Sequence, residues 1–154
     1  MEWATLPLKR YAQFTGRSRR KEYWMFVLLL FVAGLVLSIV EGIAGFDRTI
    51  GGAYGPLTAL FWLATLVPSI AVGIRRLHDI DKSGWWLMIG YGPAIVGVAM
   101  LLLGAAGAVP ALVLLGIAGI GFIVLLVFSV LEGTRGPNAY GPDPKGEDLA
   151  ATFA

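Results

Sequence analysis

Four long apolar runs, joined by short polar stretches, constrain this chain more than any other feature of its sequence. They lie at residues 23–40, 57–74, 85–103 and 109–131, and no charged residue falls inside them. Each run has close to the roughly 20 residues that a helix needs to cross a bilayer. A long helix of a soluble protein would instead show a polar stripe. The runs therefore predict an all-α membrane protein, a bundle of four transmembrane helices.

The composition agrees with this class of protein. Only 14% of the residues are charged, against about 25% in an average soluble domain, and the mean hydropathy is +0.76. The short links between the runs leave no room for a second domain, so one membrane domain is expected over residues 1–154. We predict an amphipathic cytoplasmic segment at 1–22, a transmembrane core at 23–131 and a cytoplasmic tail at 132–154. The chain has no cysteine, which excludes disulfides and thiolate metal ligands.

The distribution of positive charge predicts how the chain is oriented. With four spans, the N-terminus, the second loop and the C-terminus lie on one side of the membrane. That side holds eleven of the twelve lysines and arginines, and the other side holds only Arg48. The positive-inside rule makes the positive side cytoplasmic, so both termini are predicted to be in the cytoplasm. The loop at residues 41–56 then faces the other way, and its glycines predict a mobile segment that includes Glu41.

Local signals predict how the span ends are built. Ser18 and Ser83 are placed to cap the first and third spans, and Pro110 is expected to open the fourth. A short link before Pro110 makes the third and fourth spans an antiparallel hairpin. Four aromatic residues are predicted to anchor span ends at the membrane surface: Tyr23, Trp24, Trp85 and Trp86. Residues 1–13 mix aromatic, apolar and basic side chains, which is typical of a helix lying in the membrane interface.

The second span contains a proline. Pro68 cannot donate a main-chain hydrogen bond, so it frees the carbonyl of Ala64 and bends the helix. We expect the hydroxyls of Thr65 and Ser69 to help satisfy the main chain there.

Three polar patches fall on the predicted cytoplasmic side, at residues 17–22, 75–83 and 132–143. The short links between the spans are expected to hold these patches close together. Twelve residues form the candidate cluster: Arg17, Arg20, Glu22, Arg75, Arg76, His78, Asp79, Asp81, Ser83, Glu132, Arg135 and Asn138.

One interpretation of this cluster is a structural ion-pair network. Arg75 and Asp79 are four residues apart and can pair along a helix. Glu132, where the fourth span leaves the bilayer, needs a cation such as Arg17, Arg75 or Arg76. The other interpretation is an anion site, because arginine forks match phosphate geometry and the helix beginning at Ser83 offers free N–H groups.

Other site chemistries find little support in the sequence. His78, Asp79 and Asp81 make a weak set of metal ligands, so no metal or cofactor is expected. No motif of a hydrolase, a metalloprotease or a phosphate-binding loop is present. The apolar runs lack the ionisable residue that proton-coupled or ion-coupled transport usually needs. Nucleic-acid binding is not expected either, since topology explains where the cations lie.

Three motifs, in this order, resemble one known family. They are GRxxRKEYW at residues 16–24, RRLHDxxxSGWW at 75–86 and GPNAYGPDP at 136–144. The chain resembles the bacterial inner-membrane family called domain of unknown function 805 over roughly residues 8–144. The resemblance implies a multi-pass protein of the bacterial cytoplasmic membrane with a four-helix core, and it implies no activity. Family members often have serine where this chain has Arg19, which leaves the capping role to Ser18.

The function expected from these observations is non-enzymatic. The first hypothesis is an interaction or accessory subunit of other membrane components, within a larger membrane complex or a homo-oligomer. The alternative is binding or transport of an anionic lipid headgroup or a phosphorylated small molecule, with Arg17, Arg75, Arg76 and Ser83 as ligands. Membrane lipids, in particular anionic ones, are the expected partners. An enzyme acting on lipid headgroups, with a histidine or aspartate of the second patch as base, is a third hypothesis.

Overall fold

The computed structural model describes residues 2–46 and 55–145, and those residues contain helices and no strand. The elements are α1 (Glu2–Lys9), α2 (Arg20–Ala44), α3 (Pro56–Asp79), a 3₁₀ helix (Gly84–Leu87), α4 (Met88–Leu101) and α5 (Ala105–Val130). Four helices are long and apolar enough to cross a membrane: α2, α3, the continuous stretch Gly84–Leu101, and α5. Only 11–33% of the residues in their apolar windows are buried inside the protein, which leaves the rest for lipid. The predicted all-α fold with four spans is confirmed.

The chain divides into two compact units, which are described separately below. The first unit is Met1–Phe14 with Lys21–Val72, and the second is Thr15–Arg20 with Gly73–Ala154. The predicted glycine-rich loop and Arg48 lie largely or wholly outside the described residues, as does the end of the predicted tail, 146–154. The boundaries at 22 and 131 stay predictions.

In the first unit, α2 and α3 pack as an antiparallel pair. Phe26 and Leu30 of α2 form a buried core with Val72 of α3. Further along, Gly34 lies against the ring of Trp62, where an added Cβ would come within 3.0 Å of a ring carbon. A side chain at position 34 would therefore require the indole ring to shift slightly, and glycine avoids that shift.

The far end of this pair corrects one prediction. Glu41 was expected in the loop, but α2 continues through it to Ala44, and Glu41 is only 3% exposed. Its carboxylate accepts the main-chain N–H groups of Leu57 (2.5 Å) and Thr58 (3.1 Å) and the Thr58 hydroxyl (2.5 Å). The first N–H groups of a helix have no partner within it. Glu41 thus stays helical and buried because it caps the start of α3.

The proline in α3 is satisfied by a residue that the sequence did not indicate. Pro68 lies inside α3, and the freed carbonyl of Ala64 accepts the hydroxyl of Tyr11 at 2.6 Å. The hydroxyls of Thr65 and Ser69 instead each bond the carbonyl four residues earlier, at 2.8 and 2.6 Å. These two hydroxyls bond main-chain carbonyls near Pro68 but do not reach that of Ala64, because a hydroxyl on a helix reaches back along its own turn.

The N-terminal segment of the first unit forms a helix, α1, with Ala4 and Pro7 buried. The ammonium group of Lys21 lies 5.7 Å from the ring centroid of Trp3, within the range of a cation–π contact. Its position at a membrane surface stays a prediction.

In the second unit, α4 and α5 form the predicted antiparallel hairpin. The turn ends at Gly104, whose φ of +63° favours glycine. Pro110 was expected to open the last helix, but α5 begins at Ala105 and Pro110 lies inside it. The proline costs only one hydrogen bond so near the helix start. The first turn of α5 packs closely against the end of α4, because a Cβ on Gly107 would meet the carbonyl of Met100.

Two glycines of α5 provide a test of this hairpin. A Cβ on Gly121 would meet the carbonyl of Ile89, whereas a Cβ on Gly116 would meet nothing within 4 Å. We expect Gly121→Ala to lower the free energy of unfolding by about 1–3 kcal/mol through overpacking. Gly116→Ala should leave it unchanged or raise it by up to about 1 kcal/mol, from helix propensity. Thermal unfolding in detergent measures both, and equal shifts would contradict the packing described here.

Candidate functional site

The site is centred on Asp79, the last residue of α3. Asp79 is 4% exposed, and its two carboxylate oxygens bind two different arginines. Oδ1 accepts Nε of Arg17 at 3.0 Å, and Oδ2 accepts a terminal nitrogen of Arg76 at 2.5 Å. The arginine side chains are 1% and 2% exposed, respectively. Charge-assisted hydrogen bonds of this kind are about twice as strong as neutral ones.

The remaining donors of Arg17 go to main-chain carbonyls of the segment that follows α5. One terminal nitrogen donates to Gly136 at 2.7 Å. The other donates to Thr134 at 2.5 Å and to the carbonyl of Asp79 at 3.5 Å. A single guanidinium thus connects the end of α3 with the segment after the last span.

Arg76 holds the end of α5 in the same way. Its Nε donates to the carbonyl of Ser129 at 3.1 Å, and a terminal nitrogen donates to the carbonyl of Leu131. The last carbonyls of a helix lack partners within it, so the arginine completes the end of α5. Gly133 follows immediately, and a Cβ there would meet the carboxylate of Asp79. Glycine therefore lets the chain pass close to the ion pairs.

The end of α3 is capped by the segment after α5. The amide nitrogen of Asn138 donates to the carbonyl of His78 at 2.8 Å and to the hydroxyl oxygen of Thr134 at 2.9 Å. Both the main-chain N–H and the hydroxyl of Thr134 donate to the carbonyl of Asp79, at 2.8 and 3.2 Å. The last two carbonyls of α3 thus accept donors from residues more than 50 positions away in the chain.

His78 has a packing role in this arrangement. Its ring stacks on that of Tyr140, with centroids 3.9 Å apart and planes at 7°. Its Nδ1 lies 3.1 Å from the carbonyl of Gly16, so the hydrogen on Nδ1 is assigned from this contact. Tyr140 is held in turn by its N–H, which donates to the side-chain oxygen of Asn138 at 2.9 Å.

We call this arrangement the Asp79 cluster, defined by Arg17, Arg76, His78, Asp79, Thr134 and Asn138. Five of these six were candidates from the sequence, and the structure brings them together. Thr134 was missed. A signal for it existed, because the last carbonyls of every helix need hydrogen-bond donors from outside the helix. The hydroxyl of Thr134, two residues before the GPNAYGPDP motif, can be such a donor.

Glu132 pairs with a different cation from those predicted. Its carboxylate lies 3.0 Å from a terminal nitrogen of Arg20 and 4.0 Å from the ammonium of Lys145. Arg17, Arg75 and Arg76 were predicted as its partners, and that prediction was wrong. The reason is position, because Glu132 is exposed beyond the end of α5, whereas those three arginines are buried.

The two predicted serine caps have different outcomes. Ser83 caps the 3₁₀ helix before α4, since its hydroxyl oxygen accepts the N–H of Trp85 at 3.4 Å. Ser18 does not cap α2. Its N–H donates to the carbonyl of Arg75 at 3.0 Å, and its buried hydroxyl has no hydrogen-bond partner within the described residues. The main-chain bond to α3 holds Ser18 away from the start of α2, which explains the error.

The other candidates differ in their exposure. Glu22 and Arg75 are buried at 3% and 0% exposure, and Arg135 is exposed. Asp81 is exposed in the turn after α3, with a φ of +58°.

The four predicted aromatic anchors differ in exposure. Trp85 is 80% exposed, Trp86 40% and Trp24 37%, while Tyr23 is half-buried. Their placement at the membrane surface stays a prediction.

Asp143 shapes the segment after α5 through main-chain contacts. Its carboxylate accepts the N–H of Lys145 at 2.9 Å and that of Gly136 at 3.1 Å. These two bonds hold the pKa of Asp143 below its ordinary value, and the bond from Lys145 contributes the most. Because the folded-state pKa is below the unfolded one, the contribution to stability is present at neutral pH and disappears as the pH falls through the folded-state pKa.

The cluster offers little to a metal ion or a substrate. The described residues contain no group of three or more metal-ligating side chains, and both carboxylate oxygens of Asp79 are bound to arginines. The arrangement joins three segments that are distant in sequence and completes two helix ends. Chemically it is an internal ion-pair and capping network.

Fold and site together define an all-α protein with four candidate membrane spans, in which a buried arginine that is paired with Asp79 also binds the end of the last span. The model of the family described as "Protein of unknown function (DUF805)" matches residues 11–142, and the chain belongs to that family. The inner membrane protein YhaI of Escherichia coli K12 is 38% identical over 145 residues, which cover 94% of this chain and 97% of that protein. YhaH of the same strain is 37% identical, with 94% and 98% covered.

A more distant relative is the protein YiiR of Escherichia coli K12. It is 32% identical over 140 residues, which cover 84% of each chain. No solved structure matches this chain. The predicted family and inner-membrane location are confirmed by these comparisons.

Proposed function

We propose that the protein is a non-enzymatic interaction or accessory subunit of other inner-membrane components. The observation that supports this most directly is the internal use of the Asp79 cluster. Arg17 and Arg76 direct their donors at Asp79 and at main-chain carbonyls. Such a network stabilises one fixed arrangement of the chain and leaves few donors for a ligand.

The same contacts speak against an enzyme. A general base must be able to reach the proton that it removes. Asp79 is engaged by two arginines, and His78 is stacked on Tyr140 with its Nδ1 on a carbonyl. These two residues are the bases that a lipid-headgroup enzyme would have used, and both have structural partners.

Burial speaks against the arginine site proposed for anions. Arg75 and Arg76 are 0% and 2% exposed, and Arg17 is 6% exposed. A lipid headgroup or a soluble phosphate needs accessible donors. Any anion site of this protein is therefore expected among the cations that remain exposed.

The spans provide the surface for a partner. Gly116 and Gly119 are exposed on α5, three residues apart, and a Cβ on either would meet nothing within 4 Å. Small residues on a span allow a second helix to approach closely, which is how helices associate in lipid. We propose that this face of α5 contacts a helix of the partner.

Native mass spectrometry of the protein released gently from its own membranes tests the proposal. We expect a stoichiometric complex with a larger membrane component. Gly119→Ile should abolish that complex, since the side chain would hold the partner helix away. Gly42→Ile is the control, because Gly42 also faces open space but on α2. Wild-type protein that emerges alone, or a complex equally sensitive to both substitutions, would refute the proposal.

A further inference from the structure

A small cavity beside the Asp79 cluster is lined by more cationic than acidic side chains. Its volume is about 20 Å³. Nine residues line it: Arg17, Arg19, Asp79, Gly133, Thr134, Arg135, Asp143, Pro144 and Lys145. Four of them are cationic and two are acidic, so the cavity favours an anion.

One acid of the lining is compensated from within. Asp79 is bound by Arg17 and Arg76. Asp143 accepts two main-chain N–H groups and keeps its negative charge, which interacts with the charges of Arg17 and Lys145. With four cations against these two carboxylates, the lining keeps a net positive charge.

Arg135 and Lys145 are the exposed cations of the lining. Arg135 makes no hydrogen bond or ion pair with any residue that the structure describes. The Lys145 side chain is 57% exposed, and its closest ion-pair contact is the long one of 4.0 Å to Glu132. Exposed pairs at such distances contribute little, so both cations can turn to an external anion without breaking the cluster.

The place of the cavity in the chain indicates where that anion comes from. The lining residue Arg19 immediately precedes α2, which begins at Arg20, and Gly133 comes shortly after Val130, where α5 ends. Ends of membrane-spanning helices lie at the depth of the lipid headgroups. Basic residues next to a span attract anionic lipids electrostatically.

We propose that this cavity binds the phosphate group of an anionic phospholipid, with Arg135 and Lys145 as its principal ligands. The volume is enough for about one water-sized group, so a phosphate oxygen enters and the rest of the headgroup stays outside. The planar guanidinium of Arg135 donates two parallel hydrogen bonds to the phosphate, and Lys145 adds a point charge. The site does not depend on the proposed accessory function.

The test uses the full-length protein in a neutral detergent and isothermal titration calorimetry with short-chain phosphatidylglycerol. The double substitution Arg135→Gln and Lys145→Gln should weaken binding about 25-fold, because each basic residue at a membrane surface contributes a factor of about five. The matched control is Lys9→Gln with Arg10→Gln, which removes the same two charged groups outside the cavity. The control should bind like the wild type.

The outcomes separate the sources of the phosphate. Titration with zwitterionic phosphatidylcholine should give much weaker binding, and inorganic phosphate or glycerol 3-phosphate should compete poorly. Equal loss in both double variants would overturn the proposal, because binding would then follow net charge alone. Wild-type protein that binds no phosphatidylglycerol would overturn it too, and efficient competition by inorganic phosphate would replace the lipid with a soluble ligand.

Discussion

Asp79→Asn is expected to lower the free energy of unfolding by about 3–5 kcal/mol, the usual cost of removing one partner from a buried ion pair. The substitution keeps the shape of the side chain and removes its charge. Arg17 and Arg76 would then be buried without the carboxylate that both contact, at 3.0 and 2.5 Å. Thermal unfolding of the detergent-solubilised protein, followed by circular dichroism, measures the effect.

Asp81→Asn is the matched control for this prediction. It is the same substitution two residues away, at an exposed position. Its φ of +58° suits asparagine as well as aspartate. The control should change the free energy of unfolding by less than about 0.5 kcal/mol. Similar unfolding temperatures for the two variants would mean that the Asp79 cluster does not stabilise the protein.

A milder substitution keeps the test informative if Asp79→Asn yields no folded protein. Thr134→Val removes the hydroxyl that donates to the Asp79 carbonyl at 3.2 Å and accepts from Asn138 at 2.9 Å. A buried donor or acceptor left unsatisfied costs about 1–3 kcal/mol. A loss of that size supports a structural network, whereas wild-type stability contradicts it.

The fold was predictable because hydropathy acts over whole spans. An apolar run that is long enough to cross a bilayer can be recognised from composition alone. Each of the four predicted runs coincides with one of the four candidate membrane spans. The ends were less predictable. Glu41 has the charge of a loop residue, yet it lies inside α2 because it caps a later helix by accepting the N–H of Leu57, 16 residues away. Pro110 resembles a helix start, but the preceding residues extend α5 by a turn.

The sequence indicated part of the Asp79 cluster: five of its six residues were among the twelve candidates, and Thr134 was not. Charged residues at span ends indicated that Arg17, Arg76, His78, Asp79 and Asn138 would lie together. Helical spacing pointed to Arg75, four residues before Asp79, whereas Asp79 pairs with Arg76, three residues before it on the same helix. Its second partner, Arg17, is 62 residues away in the chain, and that pairing depends on tertiary structure that spacing does not encode.

The second large effect is expected at the opposite end of α3. Glu41→Ala should lower the free energy of unfolding by about 2–4 kcal/mol. The substitution removes the carboxylate that accepts the N–H groups of Leu57 and Thr58 and the Thr58 hydroxyl. Loss of a helix cap costs about 0.5–2 kcal/mol, and the cost is larger here because a hydrogen bond to a charged group contributes about 1.5–3 kcal/mol. Near a bilayer, water replaces these bonds poorly.

Glu41→Gln separates the cap from the charge. The amide oxygen of glutamine can still accept the two N–H groups, and its NH₂ can donate to the Thr58 hydroxyl, so only the attraction between the carboxylate and the helix dipole is lost. We expect a loss of about 1 kcal/mol or less in thermal unfolding. Glu132→Ala, at an exposed acid with a surface ion pair, should also cost less than about 1 kcal/mol. If Glu41→Gln were as harmful as Glu41→Ala, the charge of Glu41 rather than its capping geometry would join α2 to α3.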